Sequence, residues 1–281
     1  MTARQHRGDV RGKVVLRMCG GAASPFIMDV ATRFARTFRG ELHGMFVENE
    51  ELLTLAQMPF AREISLAGGR TRALSPDIVR KEMAAALAAM QRQFRQLTQA
   101  ARIPARFEVV RGAAGEALRK ATAETGILAI GEPLALAAPG MLPERLAELA
   151  GIAGIMVVGC EARRAHGPIF TIIDPAADVA LMVDTAERIA GEDSQEVAVL
   201  IAATDGEEAE RIEAEVRAAF DTGTRYRFEH IGALSPHALG AQVRGRQGGL
   251  VIARIGGPVA VDGIQASRFV CALDCPLLLL R

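Results

Sequence analysis

The chain has no tryptophan and one tyrosine in 281 residues, and its 11 phenylalanines are scattered. Base-stacking platforms need grouped aromatic faces, so nothing here supports a nucleic-acid partner. Charge of one sign is missing too, since 33 Lys and Arg balance 33 Asp and Glu. No overall field steers the protein toward nucleic acid or an anionic membrane. Cysteine is sparse: Cys19, Cys160, Cys271 and Cys275 form no C-x-x-C pair. A chain of this size needs no disulfide staples, and the four read as reduced, mostly buried small hydrophobes. The five histidines are too dispersed for a metal cluster. No apolar run reaches 18 residues. The longest candidate, Ile127 to Val158, is interrupted by Glu132, Pro133, Pro139, Pro143, Glu144 and Arg145, which excludes membrane insertion through a helix. Met1 to Lys13 is polar and basic without an apolar centre, so it is neither secretory signal nor anchor, and residues 1–12 read as a disordered tail. A cytoplasmic protein is expected.

Catalytic signatures are missing as well. There is no G-x-S-x-G, G-x-x-x-x-G-K-[ST], H-E-x-x-H or G-x-G-x-x-G. Glu207, Glu208, Glu210, Glu213 and Glu215 fall on a solvated helix face rather than forming an acid/base pair. His230 and His237 flank a strand-helix junction without a carboxylate or Cys pattern that suggests chemistry, and read as polar loop residues. No enzyme activity and no metal site are expected.

What the chain does have is one strand-helix pattern met twice. The first pass opens at Val14-Val15-Leu16 and closes at Ile155-Met156-Val157-Val158; the second opens at Ile169-Phe170-Thr171-Ile172-Ile173 and closes at Leu277-Leu278-Leu279-Leu280. Short, wholly apolar runs separated by amphipathic helices are the mark of strands buried on both faces of a parallel sheet. In the first pass the helices fall at Pro25–Phe38, 75–101, 115–125 and 143–150, with strands at 42–47, 105–110 and 127–130 between them. Ser75 is the expected N-cap of the long helix, with Pro76 at its first position. In the second, helices at 177–190, 207–220, 235–246 and 265–273 alternate with strands at 197–202, 226–231 and 250–253. The fold class is therefore α/β, with two tandem doubly wound five-stranded parallel-sheet domains at 13–160 and 168–281, joined by a polar linker at 161–167. Ligands in such sheets sit beyond the carboxyl ends of the strands, where the winding reverses.

Those positions, with the opening unit Val14 to Phe38, the segment Glu41 to Val47 and the two closing strands, resemble the universal stress protein family over essentially the whole chain. The resemblance implies the adenine nucleotide alpha hydrolase-like fold. It also implies an acidic residue after strand one, and after strand four a G-x-x-G loop with Gly and Ser or Thr nine residues on. The first repeat departs from that pattern: Arg17-Met18-Cys19-Gly20-Gly21 has no acid, and Gly131-Glu132-Pro133-Leu134 has no second glycine. The second repeat keeps Asp174 in the acidic position, Gly256 and Gly257 in the loop, and Ser267 beyond it. Arg254 stands where the first loop glycine belongs and Ala266 where the last does. Two readings stay open. Asp174, Arg254, Gly256, Gly257 and Ser267 form a remodelled ATP or AMP site, or Asp174 caps the following helix and the glycines make a turn.

Residues 48–74 are more chain than the fold requires. Leu52, Leu53, Leu55, Met58 and Phe60 either pack inward or form a protein-partner surface. The expected function is that of a non-catalytic, regulatory or stress-response protein. The alternatives are an ATP- or AMP-binding stress protein using the second repeat, and an accessory that docks a membrane transporter or sensor through 48–64. The repeats are expected to pair as an intramolecular pseudo-dimer through their last strands, with homo-oligomers open.

Overall fold

The computed structural model describes residues 13–19, 25–48, 50–64, 69, 71–111, 125–131, 152–159, 161–193, 195–220, 223–231 and 235–281. In chain order the elements are β1 (Lys13–Cys19), α1 (Pro25–Thr37), β2 (Leu42–Glu48), α2 (Glu50–Ala56), β3 (Arg62–Ile64), β4 (Thr71–Ala73), α3 (Pro76–Ala101), β5 (Ala105–Arg111), β6 (Thr125–Gly131) and β7 (Gly154–Val158). They continue with β8 (Ile169–Ile173), α4 (Val179–Asp193), β9 (Val197–Ile201), α5 (Gly206–Ala219), β10 (Tyr226–His230), α6 (Pro236–Gly245), β11 (Leu250–Arg254), α7 (Gly263–Ala272) and β12 (Leu277–Leu280). The expected tail at 1–12, the Gly20-Gly21 pair, Glu132-Pro133 and the helix at 143–150 lie outside the described residues. So does the helix expected at 115–125 except for its end, where Thr125 opens β6 instead.

The strands join in one sheet of order β10-β9-β8-β11-β12-β7-β6-β1-β2-β5. Each run of five is parallel throughout, and the two meet where β12 pairs antiparallel with β7, Leu277 opposite Val157 and Leu280 opposite Gly154. The sheet is thus continuous, and the expected doubly wound halves are its two sides. Both have the same internal order, with the first strand central and the winding reversing beside it. β7, β8, β9 and β12 are buried at every residue, which is why their sequences are unbroken apolar runs rather than alternating ones.

Strand registers superpose the halves residue by residue. Val14 faces Leu42 and Ile127 as Ile169 faces Val197 and Leu250. Counting along each strand, Cys19 holds the place of Asp174, and Gly131 the place of Arg254. The outermost strands match too: Leu42 faces Ala105 as Val197 faces Tyr226, which aligns Arg106-Phe107-Glu108 with Arg227-Phe228-Glu229.

The core lies in two layers. One face of the sheet packs against α1, α3, α4 and α5, with Phe34, Phe38, Met156, Met182, Ile189 and Leu278 in a single cluster that crosses the midline. Arg188 sits over the Phe38 ring at 4.6 Å, and Arg36 meets Glu192 at 3.3 Å across the same boundary. The other face packs Val15, Phe170 and Leu279 against residues of α6 and α7 such as Val243 and Phe269. The linker is tied down: the Arg163 and Arg164 amides donate to the Asp274 carbonyl at 2.8 and 3.1 Å.

Local chemistry sets most helix starts. Ser235 accepts from the Ala238 amide at 3.2 Å and Asp205 from the Glu207 amide at 3.3 Å. Ser75 holds the N-cap position of α3 but its side chain makes no capping bond. Proline at the first position, with its φ already helical, marks that start instead.

Candidate ligand site at the winding reversal

β8 leads to β9 on one side and lies against β11 on the other, so the crevice beyond the ends of β8 and β11 is where a ligand belongs. The structure gathers four of the five sequence candidates there. Asp174, the residue after β8, is buried, and both of its oxygens are used. Oδ1 accepts from Arg254 Nη2 at 2.8 Å and Oδ2 from Arg254 Nε at 3.2 Å, a two-point pair between residues at the ends of neighbouring strands. Oδ1 also accepts from the Ala176 amide at 3.0 Å. Asp174 therefore closes a turn and does not cap α4, contrary to the capping alternative. Asp178 does that, its Oδ1 accepting from the Leu181 amide at 3.0 Å.

The glycine loop is closed on itself. The Gly256 amide donates to the Ala260 carbonyl at 2.8 Å, and the Gly257 amide to the Arg254 carbonyl at 3.1 Å. Gly256 has φ of 80°, a conformation side chains resist. At Gly257 an added Cβ would lie 2.9 Å from Asp174 Oδ2, so the missing side chain is what lets the loop cover the ion pair. Ser267 is placed on the next element. It lies in α7 past the first turn, whose amides are the ones open to an anion. That first turn is already capped: Asp262 accepts from the Gln265 amide at 2.7 Å, and Gln265 Oε1 accepts from the Val261 amide at 3.0 Å.

Among the described residues no group of His, Cys, Asp and Glu could hold a metal ion. Burial pushes the Cys275 thiol up to about 12, with the Asp274 charge adding to it, so this cysteine is inert. His230 does have a carboxylate partner, contrary to the sequence reading: its Nε2 lies 3.2 Å from Glu213 Oε2. Glu213 also pairs with Arg217, and the two hydrogen bonds, Arg217's the stronger, hold its carboxyl below the usual range. This is an exposed cluster on α5 and β10.

Sequence reasoning missed His43. It is 2% exposed on β2, and neither ring nitrogen has a hydrogen-bond partner. Glu108 Oε2 stands 3.2 Å from Nε2, near enough to attract a charged ring but poorly aligned for a hydrogen bond. Burial first, then Lys13, lowers its pKa below 6.5.

The described residues of 48–74 include α2 and the β3–β4 pair, and their apolar side chains divide. Ala56 is buried with Val79 and Met83 of α3, and Leu53 and Leu74 pack against them. Leu53 is therefore an inward anchor and not part of the expected partner surface. Leu52, Leu55, Met58, Phe60 and Ile64 face outward, Phe60 at 75% exposure and Ile64 at 65%. No described helix is long and apolar enough to cross a membrane.

No protein-family model and no curated protein matches the sequence. Solved structures do match along nearly its whole length. A universal stress protein from Archaeoglobus fulgidus is 16% identical with a TM-score of 0.64, covering 96% of this chain and 96% of that one. A putative universal stress protein from Pseudomonas aeruginosa is 14% identical with a TM-score of 0.56, covering 95% of this chain and 92% of that one. The cytoplasmic domain of a prokaryotic cation chloride cotransporter is 10% identical with a TM-score of 0.55, covering 96% and 95%. At such identities the likeness speaks for architecture alone. The chain has the universal stress protein fold.

Proposed function

We propose that this is a non-catalytic regulatory protein of the stress-response kind, which works in the cytoplasm by contacting another protein. The observation that carries the reading is the outward apolar group Leu52, Leu55, Met58, Phe60 and Ile64, mounted on a segment whose inner residues Leu53 and Ala56 are packed on α3. A seated segment that turns five large apolar side chains to solvent is a candidate interaction surface. The fold also occurs as the cytoplasmic domain of a cation chloride cotransporter. That precedent supports a docking role toward a membrane transporter or sensor, with 50–64 as the contact.

Site-specific crosslinking from position 60, in the cells that make the protein, tests the proposal. A discrete protein adduct is expected, lost on combining Leu55→Asp with Phe60→Asp while the melting temperature stays within about 2 °C. No adduct from position 60 would remove this reading.

A further inference from the structure

The universal stress protein fold raises the expectation of an adenine nucleotide at the crevice beyond β8 and β11, and the residues present do not fit one. We propose that Arg254 is a built-in occupant of that crevice, so that the second half of the protein holds its ligand-site geometry with no nucleotide in place. Asp174, Arg254 and the Gly256 and Gly257 amides, the groups at the centre of that expectation, are already engaged by the chain itself.

The acid that would meet a base or ribose, Asp174, gives Oδ1 and Oδ2 to the Arg254 guanidinium at 2.8 and 3.2 Å. The loop amides that would meet phosphate, those of Gly256 and Gly257, donate to carbonyls of Ala260 and Arg254. The helix start that would add its dipole is capped by the Asp262 carboxylate, which puts a negative charge where a phosphate would have to come. Arg254 closes the arrangement, its Nη1 donating to the Ile255 carbonyl at 3.2 Å. A nucleotide would have to displace a guanidinium from a buried carboxylate, leaving that carboxylate to find a new donor.

Register compares the two halves at these positions. The first half has Gly131 where the second has Arg254, and Cys19 where the second has Asp174. Acid and arginine occur together in one half and are both missing from the other, as expected of two groups that require each other. The arginine is thus part of a matched pair and not a stray substitution in a binding loop. The proposal is independent of the docking surface on α2, and its test reads a different property.

The experiment is ligand-induced thermal shift with ATP and with AMP, each at about 5 mM with magnesium, on the full chain and on Arg254→Gly. Wild type is expected to show no shift with either. Arg254→Gly, which frees Asp174 and restores a glycine to the loop, is expected to gain a rise of about 3 °C or more with at least one of them. A rise in wild type overturns the proposal, and so does a folded Arg254→Gly that responds to neither nucleotide. Should Arg254→Gly fail to fold, the Arg254 Nε–H resonance of wild type decides. Slow exchange unmoved by AMP supports an internal occupant, whereas exchange at the rate of a free arginine, or displacement by AMP, overturns it.

Discussion

His43 is a residue whose chemistry follows from where the strand register puts it. His43 is 2% exposed on an inner strand of the sheet, and burial penalises the charged imidazole far more than the neutral one. The charged groups facing it among the described residues are Lys13 on β1, Arg106 and Glu108 on β5 and Glu41 before β2; burial and the cations outweigh the two carboxylates. The unfolded chain takes up its proton near 6.5, the folded chain only at lower pH. The native state is therefore at full advantage above about 6.5 and loses stability as pH falls from there through the lowered folded value. Urea unfolding of wild type at pH 7.5 and at pH 5 should show that loss, and His43→Met should remove most of the difference. An unchanged pH slope in His43→Met would place the titrating group elsewhere. Nothing in the sequence around His43 announces this, because burial in a central strand is a property of its neighbours β1 and β5. The Asp174–Arg254 pair was legible only as two suspects; their contact spans 80 residues of chain, and no local rule couples them.

At the scale of elements, the segment from α2 to β4 shows how one apolar stretch serves two purposes. Leu52, Leu53 and Leu55 are alike in sequence, and helical geometry separates them: Leu53 shares a face with Ala56 and turns to α3, while Leu52 and Leu55 turn to solvent. Leu53→Ala should cost about 1–2 kcal/mol, less than a fully buried leucine because its site is half covered. Leu52→Ala should stay within about 0.5 kcal/mol. Chemical denaturation of the two variants reads the difference; equal costs would mean α2 is not seated on α3 as described. The regular helices were easier to foresee. Pro25, Pro76 and Pro236 mark three starts and Gly40 lies just beyond one end, so the observed bounds fall near the expected ones. The β3–β4 pair was missed because strands of three residues leave too little periodicity to read. The Arg-Phe-Glu triplet shared by β5 and β10 was visible in the sequence, and only the registers give it meaning. On each edge strand the charges stand two residues apart on one face, Arg106 within 3.6 Å of Glu108 and Arg227 within 3.3 Å of Glu229, a charged guard on edges that otherwise invite another strand.

For the whole molecule the decisive feature is the antiparallel joint of β7 and β12. A repeat of two similar sequences is compatible with independent domains on a linker, and the residues of 161–167 read as such a linker. The apolar runs of β7 and β12 carry the answer implicitly: they are buried on both faces and along both edges, so neither can be an outer strand of a separate sheet. Joining them removes two exposed apolar edges at once, and the cluster containing Phe34, Phe38, Met182 and Ile189 then fills the helical layer over the joint. Neither half can unfold without baring that surface, so the chain should melt in one calorimetric transition whose van't Hoff and measured enthalpies agree. Gly154 offers the means of testing the joint itself. An added Cβ there would meet Leu280 Cδ2 at 3.0 Å and the Leu279 carbonyl oxygen at 3.1 Å, atoms of the facing strand and not of its own half. Gly154→Val should therefore destabilise by about 1–3 kcal/mol and lower the single transition as a whole. Two separated transitions in wild type, or a Gly154→Val variant in which one half melts early while the other keeps its wild-type temperature, would show that the halves share a sheet without sharing their stability.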